Sequence, residues 1–334
     1  MIKTLLGAAA TLLFVTAAQA DPVVLKFATL NPPQSHLNVQ FIKPWTARIN
    51  AAAPEELKIE PFELYALANN LNVYDRVLAD VAQIGWGLPI YFTGKFVTTL
   101  VTALPFTADT SVDASLAYWR MYARGDFGTE YSEIHPLVLI VFPQSGIHMA
   151  KKEIRTLEDL KGTKIRTGSK VVGDVITALG ATPLSIEVGE MYQSFERGLV
   201  DGTVMPWTAF QPFKMHEVTH YHVDVPLGAG SAMIFMAKKR YESLSAAARK
   251  ALDDNTGEAP VREFGLFWDR IDEEARAGVK AMPGHTVKTM TPAEFAPWRE
   301  RVEPTLADWV KETPNGGKVL ETFRAEIAKA AAAR

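Results

Sequence analysis

Short apolar runs alternate along the chain with stretches whose apolar residues recur every three or four positions, and this alternation lays out the elements in order. Strands are predicted over 23–29, 57–62 and 83–86, with helices over 36–50, 69–81 and 112–127. A further strand at 138–142 runs into Pro143 and opens a second set of elements. There, strand 164–166 is followed by a helix over 171–179, whose Val172, Val175, Ile176 and Leu179 fall at helical spacing. Strand 182–188, a helix over 189–198 and strand 203–205 complete a β-α-β-α-β unit. Such a unit implies a parallel sheet with its ligand crevice outside the carboxyl ends of the strands, which is where Arg166 and residues 205–210 fall. After Gly228-Ala229-Gly230, an apolar strand at 232–237 is expected to cross back to the first set. The remainder is helical over 245–281, interrupted by Pro260, and again over 294–313 and 318–333.

Residues 1–20 carry Lys3, an apolar run over 5–18 and Ala18-Gln19-Ala20 before Asp21. That run is shorter than the ~20 residues of a membrane span, so the segment reads as a cleavable signal peptide and the mature chain as periplasmic. There is no cysteine, hence no disulfide framework and no lipoprotein attachment site, and stability must come from a hydrophobic core. A net charge of -3 without a basic run argues against nucleic acid and against an anionic membrane surface. At about 150 residues per domain the length suggests two domains.

One motif points to an enzyme. His216-Glu217-Val218-Thr219-His220 matches the H-E-x-x-H pattern of zinc hydrolases, in which two histidines one turn apart bind metal and the glutamate acts as base. Residues 218–225, however, are rich in β-branched and aromatic side chains with alternation. If the backbone becomes extended at Thr219, the two histidines lose their shared face. A cysteine nucleophile, G-x-S-x-G, a phosphate loop and G-x-G-x-x-G are all absent. No catalysis and no metal are expected, with zinc hydrolysis as the alternative.

The run Leu160-Lys161-Gly162-Thr163-Lys164-Ile165-Arg166, the turn Gly180-Ala181-Thr182-Pro183, Glu190-Met191-Tyr192, and Val200-Asp201-Gly202 with Pro206 resemble the solute receptors of tripartite ATP-independent periplasmic (TRAP) transporters, in the dicarboxylate-receptor branch. Leu104-Pro105-Phe106 and Tyr241-Glu242-Ser243-Leu244-Ser245 add to the resemblance, which covers the mature chain. It implies an α/β clamshell of two lobes, each a sheet flanked by helices, with a long helix spanning both. Lobe I would comprise 21–143 plus 232–271, and lobe II 144–231 plus 272–334. It also implies capture of a small organic anion for the small and large membrane subunits of a transporter, without a cofactor; a sensor feeding a membrane receptor would have the same sequence. A monomer is the expectation for a clamshell that must open.

By the same resemblance Arg166 is the carboxylate anchor, and a planar guanidinium offers two parallel N–H donors to a carboxylate. Where sugar-acid receptors of the family have further polar contacts, this chain reads Trp86-Gly87-Leu88-Pro89-Ile90-Tyr91, and Met205 with Trp207 and Phe210. Their second arginine is replaced by Ser145-Gly146-Ile147-His148. The expected pocket is therefore apolar and aromatic around one anion anchor. Its candidate lining is Trp86, Leu88, Met205, Trp207 and Phe210, with Tyr91 and Asn31 as polar contacts and His148 tuning pH dependence. Core packing is the alternative for Trp86, Trp207 and Phe210.

Overall fold

The computed structural model describes residues 21–334; the predicted signal peptide at 1–20 lies outside the described residues. The first strands, β1 (Val23–Ala28), β2 (Leu57–Phe62), β3 (Ile84–Gly87) and β4 (Ile134–Val141), belong to one sheet. The next five, β5 (Gly146–Met149), β6 (Lys164–Thr167), β7 (Thr182–Ser185), β8 (Gly202–Met205) and β9 (Tyr221–Asp224), belong to another. Then β10 (Ser231–Ala237) returns to the first sheet and β11 (Thr286–Thr289) joins the second. The orders are β2-β1-β3-β10-β4 and β11-β9-β5-β8-β6-β7. The predicted unit is parallel, β7 and β8 flanking β6, whereas β10 and β5 are antiparallel to their neighbours. Every residue of β10 is buried, as the apolar run from Ala232 to Ala237 demands of a strand between β3 and β4.

Each sheet anchors a lobe, and the chain passes between lobes on four tracks. Two are the extended segments joining β4 to β5 and β9 to β10. They are bonded to each other: Phe142 N–H donates to Gly230 O at 2.8 Å, Ser145 N–H to Gly228 O at 2.8 Å, and Leu227 N–H to Ser145 O at 3.1 Å. Gly228 has φ +110, and a Cβ there would lie 2.3 Å from Ala103 O, so this position requires glycine. The third track is the helix Glu258–Lys280. Its Phe264, Trp268 and Ile271 sit in the lobe I core, where Phe264 stacks on Phe41 at 3.5 Å, and its Val279 in a lobe II core.

Pro260 does not interrupt this helix. The break falls at Gly257 (φ +104), and Pro260 stands in the first turn, where its missing N–H has no partner to lose. The expected lobe boundary needs correction at the C-terminus. The helix Gly316–Ala332 places Val319, Leu320, Phe323 and Ala330 in the lobe I core, because its apolar stripe packs on the helix Ser111–Arg124. The helix Pro292–Glu312 links the cores, with Trp298, Val302 and Leu306 in lobe II and Trp309 in lobe I. Among the described residues no helix is long and apolar enough to cross a membrane.

Candidate functional site

Arg166 lies on β6, one residue before the strand ends, and its side chain is buried (4% exposed). Its Nε donates to Ile186 O at 2.7 Å and its Nη2 to the Tyr91 hydroxyl at 3.3 Å. Among the described residues no carboxylate forms an ion pair with it. A buried cation without a counter-charge is unfavourable, and an arriving anion relieves that cost. With Nε occupied, the edge left to a bidentate carboxylate is Nη1–Nη2. Gly168 flanks this edge: a Cβ there would lie 3.6 Å from both Nη1 and Nη2. Ser169 then caps the helix Lys170–Ala178 by accepting from Val172 N–H at 3.3 Å, which directs the positive end of the helix dipole to the same region.

This edge faces a cavity of about 160 Å³ between the lobes, and Arg166 is the only charged residue among the described residues that line it. The other walls are mostly apolar. Trp86 meets Phe142 edge-on at 6.3 Å, Phe142 meets Trp268 edge-on at 5.1 Å, and Val172, Met205 and Phe213 close the lobe II side. An apolar cavity of roughly 150 Å³ is enough to enclose a benzene ring.

The lobes touch at this site. The Tyr91 hydroxyl accepts from Arg166 Nη2 and from Val188 N–H at 3.2 Å, so its two lone pairs are engaged and its proton remains free to donate to a bound anion. Burial pushes the Tyr91 phenol up, against the opposing pull of Arg166, which keeps it protonated. Asn70 of lobe I donates to Glu187 Oε1 at 2.5 Å, and Glu187 Oε2 accepts from Gly189 N–H at 2.7 Å.

Of the residues singled out in the sequence, Arg166, Tyr91, Asn31, Trp86, Leu88 and Met205 border the cavity. Trp207, Phe210 and His148 do not. In the turn Trp207–Ala209, Thr208 N–H donates to Asp272 Oδ1 at 3.2 Å, and Thr208 and Ala209 face the cavity while Trp207 turns away. Trp207 Nε1 donates to Asp224 Oδ1 at 2.8 Å, and its ring packs on Phe210 at 4.7 Å and His148 at 4.6 Å in a core behind the wall. The core alternative thus describes Trp207 and Phe210.

His148 is part of a polar chain through lobe II. Its Nε2 lies 3.0 Å from Met205 O, its Nδ1 3.1 Å from His222 Nδ1, and His222 Nε2 lies 3.1 Å from His285 Nδ1. A carbonyl only accepts, so His148 Nε2 donates; its neutral Nδ1 then accepts from His222 Nδ1–H, and His222 Nε2 from His285 Nδ1–H. Burial lowers His148 to about 4 and, with its histidine neighbours, His222 to about 2, so both are neutral at pH 7. The H-E-x-x-H segment leaves its short helix (Met215–Glu217) at Val218 and enters β9 at Tyr221. His220 Nδ1 instead contacts Ala150 O at 3.2 Å.

Sequence reasoning missed Phe142, Trp268, Asn70 and Tyr65. Phe142 sits just before Pro143 where the chain leaves lobe I, a position that could have marked it. Trp268 follows the helical period of the core and gave no local signal.

The sequence profile of bacterial extracellular solute-binding protein family 7 matches residues 27–313. An outer membrane transporter protein of Comamonas testosteroni is 26% identical over 324 residues, 93% of this chain and 94% of that protein. The structure superposes with a TM-score of 0.88 on a TRAP solute-binding protein of Rhodoferax ferrireducens crystallised with copurified benzoate, at 26% identity over 93% of this chain and 99% of that one. A marine metagenome TRAP solute-binding protein specific for aromatic acids, in complex with 3-hydroxybenzoate, also gives 0.88, at 28% identity over 93% of this chain and 99% of the other.

Proposed function

Because the chain belongs to bacterial extracellular solute-binding protein family 7, the family of the TRAP receptors and not of enzymes, we propose that it captures an aromatic monocarboxylate in the periplasm and presents it, as a monomer, to the small and large membrane subunits of its transporter. The observation that carries this reading is the buried, unpaired Arg166 at the edge of an apolar cavity of about 160 Å³. The Nη1–Nη2 edge and the Tyr91 hydroxyl would hold the carboxylate, while Trp86, Phe142 and Met205 enclose the ring. Two charge-assisted bonds of about 1.5–3 kcal/mol each, with ring packing of about 0.5–1.5 kcal/mol beyond burial, reach the ~8 kcal/mol of micromolar binding once apolar burial is added. A dicarboxylate fits less well, because the lining offers a second carboxylate no counter-charge, and a sugar acid less well because the walls around Arg166 are mostly apolar. Two related receptors hold benzoate and 3-hydroxybenzoate, which agrees with this chemistry.

The test is a thermal-shift and calorimetric screen of residues 21–334 against benzoate, 3-hydroxybenzoate, cyclohexanecarboxylate, succinate and glucuronate. At a hundred times its Kd a ligand adds about 2.7 kcal/mol of stability. Stabilisation by the ring monocarboxylates alone is expected. A response confined to succinate or glucuronate would overturn the reading.

A further inference from the structure

Of the described residues that line the cavity, Tyr65 alone is exposed; the others are buried or half-buried. At 49% exposure it stands between the cavity and solvent, and so marks the mouth. It belongs to the loop that follows β2 in lobe I, where Leu64 takes φ +52, a conformation costly for leucine, and donates its N–H to Asn31 O at 3.0 Å. Across the mouth the Tyr65 hydroxyl reaches Gly189 of lobe II. A Cβ on Gly189 would lie 2.5 Å from that hydroxyl and 2.8 Å from Glu187 Oε2. Gly189 is not in the left-handed region, so its backbone does not call for glycine; the room it leaves is what the phenol occupies.

The segment that Tyr65 meets also serves the anchor, since Ile186 O accepts from Arg166 Nε and Val188 N–H donates to Tyr91. Tyr65 thus stands at the carboxylate end of the cavity. Burial and the Glu187 charge push its phenol up, so it stays neutral and does not repel an anion. Resting on the carboxylate-receptor reading above, we infer that Tyr65 is a gate seated on Gly189: with the lobes closed, its ring covers the pair formed by Arg166 and the ligand carboxylate and keeps water from it. An ion pair shut off from water is stronger, and less screened by salt, than one left open. Tyr65 therefore sets how long an acid stays bound, whatever the substituents on its ring.

The experiment follows benzoate and 3-hydroxybenzoate by stopped-flow tryptophan fluorescence, with Trp86 and Trp268 at the cavity as reporters. It compares the wild type, Tyr65→Phe, Tyr65→Ala, Gly189→Ala and the variant carrying both alanines, each checked by its melting temperature without ligand. Tyr65→Ala is expected to speed dissociation of both acids about tenfold while changing association less than about threefold. Its Kd should also weaken more than that of the wild type when NaCl is raised from about 50 to about 500 mM. Tyr65→Phe keeps the ring and should stay close to the wild type. Gly189→Ala should match Tyr65→Ala, because the new methyl group displaces the phenol, and should add nothing to it in the double variant. Unaltered dissociation in Tyr65→Ala, a salt dependence equal to the wild type, or a Gly189→Ala loss that persists in the Tyr65→Ala background and so acts through Glu187 would each overturn the inference and leave the receptor reading standing. Failure of the wild type to bind either acid would overturn both.

Discussion

The Tyr91 hydroxyl of lobe I and the Arg166 guanidinium of lobe II meet across the cleft at 3.3 Å, and the same hydroxyl accepts from the backbone of Val188. One phenol thus touches the anion anchor and ties the two lobes together. Tyr91→Phe is expected to weaken carboxylate binding about three- to tenfold, the equivalent of one neutral hydrogen bond, while changing the melting temperature little. Calorimetry with benzoate measures this; unchanged affinity would remove Tyr91 from the anchor.

Arg166→Ala should weaken binding at least a hundredfold, because two charge-assisted bonds disappear together. Arg166→Lys keeps the charge but loses the planar fork and the bond to Ile186 O, so it should recover only part of that loss. Full recovery by lysine would mean that charge alone suffices and that the Nη1–Nη2 geometry is irrelevant.

Gly168→Ala should leave the fold intact, since the new Cβ makes ordinary contacts, yet it places that Cβ 3.6 Å from both Nη atoms beside the carboxylate seat. A loss of about tenfold in affinity at constant melting temperature is expected. A drop in melting temperature without a change in Kd would point to a backbone role instead.

Trp207→Phe is expected to lower stability by about 1–3 kcal/mol, because the Asp224 carboxylate loses its indole donor inside the core. Ligand affinities should shift equally for ring and open-chain acids, if they shift at all. A selective loss on ring acids would return Trp207 to the pocket.

Stability should also depend on pH through Asp272, which accepts from Thr208 N–H beneath the cavity wall. Burial raises its carboxyl to about 7, with Asp224 adding to the rise and the backbone donors opposing it. Between the ordinary carboxylate pKa near 4 and about 7, the folded state therefore holds a proton that the unfolded state releases. This contribution is fully present below about pH 4, falls by ~1.4 kcal/mol per pH unit as pH rises, and levels off above about 7. Asp272→Asn should remove that decline and melt higher than the wild type at pH 8. Denaturant unfolding of both proteins from pH 5 to 8 decides it; parallel curves would refute the assignment.

Much of the lobe architecture was legible, because the β-α-β-α-β unit around Arg166 has unambiguous periodicities and turn residues. Even there, Arg166 stood out only as a cation at the end of a strand, and the resemblance supplied its role. The sequence could not say which side of the 205–210 turn each residue faces. That is set by Asp272, some sixty positions later, accepting the Thr208 N–H and rotating Trp207 into the core. Nor could it separate Trp268 from Phe264: both follow one helical stripe, and only the assembled lobes show that the former borders the cavity. The last helix was placed on the wrong lobe for a similar reason, since its apolar stripe does not encode which partner it covers.

The paired crossings between the lobes act as a single axle. Phe142 and Gly230, and Ser145 and Gly228, are bonded through their backbones, so neither segment can bend without the other, and rotation about one line is favoured over twist. Phe142, Ser145 and Gly230 also line the cavity. In any rotation, points near the axis travel least, so a ring resting there keeps its footing through the swing. The bridges from Tyr91 to Val188 and from Asn70 to Glu187 exist only when the leaves meet. Loading against the axle and latching at those bridges are therefore separable events, and a ligand too wide for the cavity would hold the latch apart even while seated.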